Sequence, residues 1–128
     1  ACDLHLSDHE RNALEPFNAI CADHFLFTND LYSYAKHVAE AADRKLPWNV
    51  VSILQGSGNV SLDQAKTMVR ESIWEAEQEI HKQYTALSNT HGDDDTRTRY
   101  ARGTVIALAG NMFYSATCAR YARYVEDA

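Results

Sequence analysis

Asn29, Ser33 and His37 recur every four positions in the stretch FTNDLYSYAKH, with Asp30 beside the first and Lys36 beside the last. On a helix, residues four apart are turned by about 40° and stacked about 6 Å along the axis, so the three form one slanting polar line. An amide oxygen and a hydroxyl so placed can occupy two sites on a hard cation such as Mg²⁺, leaving others for phosphate and water. Lys36 lies seven residues beyond Asn29 and returns to nearly the same face. An ammonium there can touch the diphosphate that such a metal holds. The opposing interpretation is an ordinary solvated helix face, where polar residues at this spacing are common.

The elements that must carry this line are helical. The chain has 128 residues, enough for one domain (1–128), with 45% hydrophobic and 23% charged residues. Prolines are confined to Pro16 and Pro47, and β-branched alternation is scarce, so the class is all-α. The motif SDHE reads as a capping box with Ser7 and Glu10, opening a short helix to about Glu15. Pro16 suits the first turn of a second helix running to about Asp43, which RKLP at 44–47 ends. WNVVSILQ (48–55) reads as a short helix and GSGN (56–59) as a loop. A second capping box, SLDQ, starts a helix from Ser61 to about Leu87, SNTHGDDDT (88–96) is a polar loop, and a last helix covers about 95–125.

Composition narrows the function classes. Twelve basic against 18 acidic residues give a net charge of −6. No basic stripe is present, which argues against nucleic acid as a partner. No apolar run is long enough to span a bilayer. Cys2, Cys21 and Cys118 lie far apart without a CxxC pair, so neither a disulfide framework nor structural zinc is expected. Buried thiols and a cytoplasmic location follow. Ala1 in place of an initiator Met fits a trimmed or partial product. A di-iron bundle would need ExxH pairs, whereas the residues three before His24, His37 and His81 are Cys21, Tyr34 and Gln78. His5, His9, His24, His81 and His91 read as structural or exposed, and Tyr32, Tyr34, Phe113 and Tyr114 as core.

NDLYSYAKH resembles the second metal motif of class I terpene synthases, (N/D)DxxSxxxE, especially the fungal sesquiterpene and diterpene cyclases. GNMFYSATCARY (110–121) is similar to their late-helix signature, GN followed by an aromatic-Ser pair and an Arg-Tyr pair. WNVVSILQ and the Ser61–Ala65 helix start resemble the stretch between. The likeness covers the whole chain but only the C-terminal portion of a family domain. It implies an all-α, class I terpenoid synthase-like bundle that ionises and cyclises a prenyl diphosphate of the farnesyl or geranylgeranyl class. It further implies Mg²⁺, or Mn²⁺, on Asn29 and Ser33 with His37 at the third ligand position. Lys36, Arg120 and Tyr121 would hold diphosphate, and no residue is assigned as catalytic.

Two departures bear on activity. The third ligand is His37 where the family has Glu, and imidazole suits Zn²⁺ or Mn²⁺ better than Mg²⁺. Glu40 stands about 10 Å along the axis from Ser33, too far to share one ion without a bend. The family's aspartate-rich motif has no counterpart: Asp93, Asp94 and Asp95 follow the second metal motif instead of preceding it. Prenyl-chain elongating enzymes use two aspartate-rich motifs, so NDLYS argues against them. The alternative is a non-catalytic helical relic or interaction module. Apolar faces that would pack on the rest of such a domain would also favour self-association.

Overall fold

The computed structural model describes residues 5–41 and 49–117. Its elements are α1 (Asp8–Ala13), α2 (Glu15–Ala41), α3 (Val50–Gly58), α4 (Leu62–His91) and α5 (Thr96–Thr117). Among the described residues all regular structure is helical, as the sequence implies. Both capping boxes form. Ser7 and Glu10 satisfy each other's backbone N–H groups at the start of α1, and Ser61 and Gln64 do so at the start of α4. Each pairing supplies partners to N–H groups that the first helical turn leaves open.

Several boundaries differ from the sequence reading. GSGN is not a loop: α3 continues through Gly58, and only Asn59 turns left-handed, at φ 50° and ψ 45°. An asparagine tolerates that conformation and can end a helix as glycine does. Helix α3 begins at Val50 because Asn49 is extended and caps it. Helix α4 passes Leu87 and stops at His91, where Gly92 takes φ 87° and its N–H donates to the Ser88 carbonyl. The acidic stretch is the approach to α5. Asp95 accepts both the Arg97 backbone N–H and its guanidinium, at 2.9 and 3.0 Å. The Arg97 side-chain hydrogen bond, then the backbone one, holds the Asp95 carboxyl down at about 2. RKLP, Trp48, Cys2, Cys118 and the end of the last helix lie outside the described residues.

Helix α2 is the central element, packing on α4 and α5 with α3 across α2 and α4. Its first half contributes Phe17 and Cys21 to a cluster with Ile80, Ala101 and Leu108. Its second half contributes Leu31 and Tyr34 to a cluster with Val51, Ala65, Val69 and Ile73. His24 is buried between them and its Nε2 meets Glu77 Oε1 at 3.1 Å, while His5, His9, His81 and His91 are exposed. Cys21 is a buried free thiol, and burial pushes it up to about 11.

The aromatic expectation divides. Tyr34 is buried and Tyr32 half-buried, but Phe113 and Tyr114 are 71% and 57% exposed. They sit with Ile106 on the flank of α5 turned away from buried Ala101, Leu108 and Ser115. Helix α5 is therefore apolar on both sides, and the described residues cover one of them. None of the described helices is long and apolar enough to cross a membrane.

Candidate functional site

The polar line on α2 is positioned by the packing on its opposite side. His24 faces α4 through Glu77. Ser33, nine residues later, is turned from it by about 180°, Asn29 by about 140° and Lys36 by about 120°. The line thus runs along the flank of α2 away from α4. It is nonetheless enclosed: Ser33 is fully buried and the Lys36 side chain is only 13% exposed.

The hydrogen bonds explain that enclosure. Ser33 Oγ donates to the Asn29 carbonyl at 2.6 Å and lies 3.4 Å from His37 Nδ1. The Ser33 and His37 side chains are therefore adjacent, and Asn29 meets Ser33 through its backbone carbonyl. Asp30 is engaged elsewhere, since its Oδ2 accepts the Val50 N–H at 2.8 Å and so caps α3. Asn49 completes the joint. Its Oδ1 accepts the Val51 N–H at 2.9 Å, while its Nδ2 donates to the Asp30 carbonyl at 2.9 Å and stands 3.2 Å from His37 Nδ1. A carboxylate and an amide oxygen at a helix N-terminus satisfy open N–H groups and favour the helix dipole.

The sequence reading missed Asn49 altogether. Its signal was present as an asparagine directly before the apolar run VVSIL, a strong N-cap position. Lys36 lies on the flank of the line and bonds Glu40 Oε1 at 2.6 Å, one turn on. A diphosphate reaching Lys36 must compete with that carboxylate. Arg120 and Tyr121 lie outside the described residues.

The donor set divides in its fitness for a hard cation. Ser33 spends its proton on a helix carbonyl, which leaves its oxygen lone pairs, and the Asn29 amide adds a second oxygen of the type Mg²⁺ prefers. These two fit. His37 does not, because the nitrogen on the seam side already faces the Asn49 amide. Among the described residues no three His, Cys, Asp or Glu side chains converge as a metal cluster. A cavity of about 230 Å³ lies elsewhere, lined by His24, Ile80, Tyr84, Leu108 and Met112 among others. It belongs to the side of α2 that meets α4, not to the polar line.

Residues 1–79 match the family model described as terpene synthase family 2, C-terminal metal binding. The chain belongs to the terpene synthases. Terpene cyclase aneC of Aspergillus aculeatus is 30% identical over 115 residues, covering 89% of this chain and 26% of the relative. Bifunctional type I diterpene synthase tndC of Aspergillus flavipes is 33% identical over 99 residues, covering 73% and 13%. Terpene cyclase 6 of Gibberella fujikuroi is 30% identical over 104 residues, covering 80% and 28%. The chain thus spans roughly a quarter or less of each of these relatives' length. The matched segment of this terpene synthase chain contains α2, with the whole Asn29–His37 line.

Proposed function

We infer that these 128 residues contribute one wall of a class I terpene synthase site, in which a prenyl diphosphate of the farnesyl or geranylgeranyl class is ionised and its carbocation cyclised. One observation carries the reading most: Ser33 is buried, its proton directed to the Asn29 carbonyl and its lone pairs left for a cation. The family's description as metal binding supports a divalent ion here, with Mg²⁺ the ion proposed and Mn²⁺ the alternative. Asn29 and Ser33 would hold it; when bound, it would screen the charge on the departing diphosphate. Lys36 would exchange Glu40 for a phosphate oxygen, adding a cation beside the leaving group. Arg120, through its forked donors, and Tyr121 would bind the same group. Water exclusion would come from apolar side chains around the site, and a cytoplasmic location suits such chemistry.

The exposed side of α5, with Ile106 and Phe113, would pack on further parts of such a domain or, in their absence, on a second copy. The alternative reading, a non-catalytic helical relic or interaction module, draws on the locked His37 and the paired Lys36.

The test has two arms. Isothermal titration of the chain with inorganic diphosphate should show binding that Mg²⁺ strengthens and that, with Mg²⁺ present, weakens about tenfold in Ser33→Ala. Equal affinity in that variant would remove the metal assignment. Incubated alone with farnesyl or geranylgeranyl diphosphate and Mg²⁺, the chain should form no cyclic terpene, because it supplies one wall of the metal cluster. Product from the unmodified chain would overturn that expectation. Activity gained only by His37→Glu would make the third ligand the limiting element.

A further inference from the structure

His37 occupies the place of a metal ligand, but its chemistry is decided by Asn49. The Asn49 side chain has two backbone partners that differ in kind, the Val51 N–H at Oδ1 and the Asp30 carbonyl at Nδ2. These admit one orientation of the amide. Flipping it would set a donor against a donor and an oxygen against an oxygen. The group 3.2 Å from His37 Nδ1 is therefore an NH₂ donor, and Nδ1 must accept. Ser33 Oγ, its proton directed to the Asn29 carbonyl at 2.6 Å, could only accept from Nδ1, but it is the longer contact at 3.4 Å, and a proton on Nδ1 would be set against the Asn49 N–H at 3.2 Å. A ring nitrogen that accepts carries no proton, so the neutral ring carries it on Nε2.

This is the reverse of a ligating histidine, which gives one lone pair to the metal and donates its other N–H to an acceptor. Here the Nδ1 lone pair is spent on Asn49 and Nε2 bears the hydrogen. A cation could bind Nε2 only by expelling that proton. An anionic oxygen can accept from it directly. Among the described residues no hydrogen bond to Nε2 is formed.

We propose that Asn49 holds His37 as its Nε2–H tautomer, so that His37 is a hydrogen-bond donor to an anionic phosphate oxygen and not a third metal ligand. Asn49 is then a positioning residue. The anion named rests on the reading of the site given above; the tautomer does not. On this assignment Asn29 and Ser33 serve the cation, and Lys36 and His37 serve the anion.

The chain labelled with ¹⁵N in its histidine rings tests the tautomer by long-range ¹H–¹⁵N correlation at neutral pH. His37 should show a protonated Nε2 and an unprotonated Nδ1. Asn49→Ser keeps an N-cap oxygen but is too short to reach the ring, and should give a mixture of tautomers at unchanged helix content. A protonated Nδ1 in the native chain overturns the proposal without need of any variant. The anion role is read by titrating inorganic diphosphate with a chelator present. His37→Gln, which retains an N–H donor, should bind within about threefold of the native chain, and His37→Glu about tenfold more weakly. Equal binding by His37→Glu, or displacement of the Nε2 proton by stoichiometric Zn²⁺ alone, overturns it. If the native chain binds no diphosphate with or without Mg²⁺, the reading of the site and the donor role fail together, while the tautomer is still decided by the spectrum.

Discussion

Both halves of α2 bury an apolar cluster, and they differ in how densely directed bonds join them to their neighbours. From Phe17 to His24 the helix is gripped by an apolar cluster with α4 and α5, and its cross-helix polar contacts are His24 with Glu77 and, at the surface, Asn18 with the Tyr100 hydroxyl. From Asp30 to His37 it meets α3 through directed bonds: Asp30 to Val50, Asn49 to Asp30 and His37, and Tyr34 to Gln55 at 3.1 Å. Apolar burial fixes where a helix lies but is indifferent to the identity of any one atom. Hydrogen bonds fix which atom of a ring or carboxylate faces which neighbour. The first half anchors the fold, and the second half sets the chemistry of the polar line.

The largest effect that separates them should be at Phe17, which is 2% exposed. Phe17→Ala should cost about 3–5 kcal/mol in denaturant unfolding. A loss below about 1 kcal/mol would mean that the first half is not the anchor. Next comes Asn49, which is 1% exposed. Asn49→Ala removes a cap and two donated bonds and should cost about 1–3 kcal/mol. Asn49→Ser should recover the capping share but not the bonds to Asp30 and His37. If serine and alanine are equally harmful, capping is not part of Asn49's contribution.

The periodicity of α2 makes both halves legible as one helix with a stripe of Phe17, Ile20, Cys21, His24, Leu31, Tyr34 and Val38, of which Ile20 is half-buried, Val38 exposed and the rest buried. The difference between the halves was not legible, because it depends on partners 12 or more residues away in sequence. Asp30 illustrates the limit. It adjoins Asn29 in sequence, yet its carboxylate is committed to α3.

A smaller effect concerns pH in the first half. Cys21 titrates at about 11 in the folded chain against an ordinary 9.0 because burial disfavours the thiolate. The folded state therefore binds more protons than the unfolded one between those values, and stability is full below 9.0 and lost as pH rises toward 11. The loss should be on the order of 1 kcal/mol at about pH 10. It should be absent from the pH dependence of Cys21→Ala, and an equal slope in that variant would assign it to other groups. Smallest is Glu40→Gln, which releases Lys36 on the second half. Lys36 is largely enclosed but Glu40 is 55% exposed, and i, i+4 pairs contribute about 0.3–0.5 kcal/mol, so thermal unfolding should move little. Diphosphate affinity should rise instead, and a fall would remove Lys36 from the anion site.

The sequence by itself determined the helices, the two capping boxes, the Asn29–Ser33–His37 line and the resemblance that the family match bears out. These depend on residues within a turn or two of one another, and a repeat of about 3.6 residues is readable without a fold. Tertiary structure decided that Ser33 is enclosed, that Phe113 and Tyr114 are exposed, and that His37 is turned by Asn49 into an acceptor at Nδ1. Each of those outcomes required α3, α4 and α5 to dock on α2. Burial and hydrogen-bond partnership are properties of surfaces brought together, and spacing along one chain does not encode them.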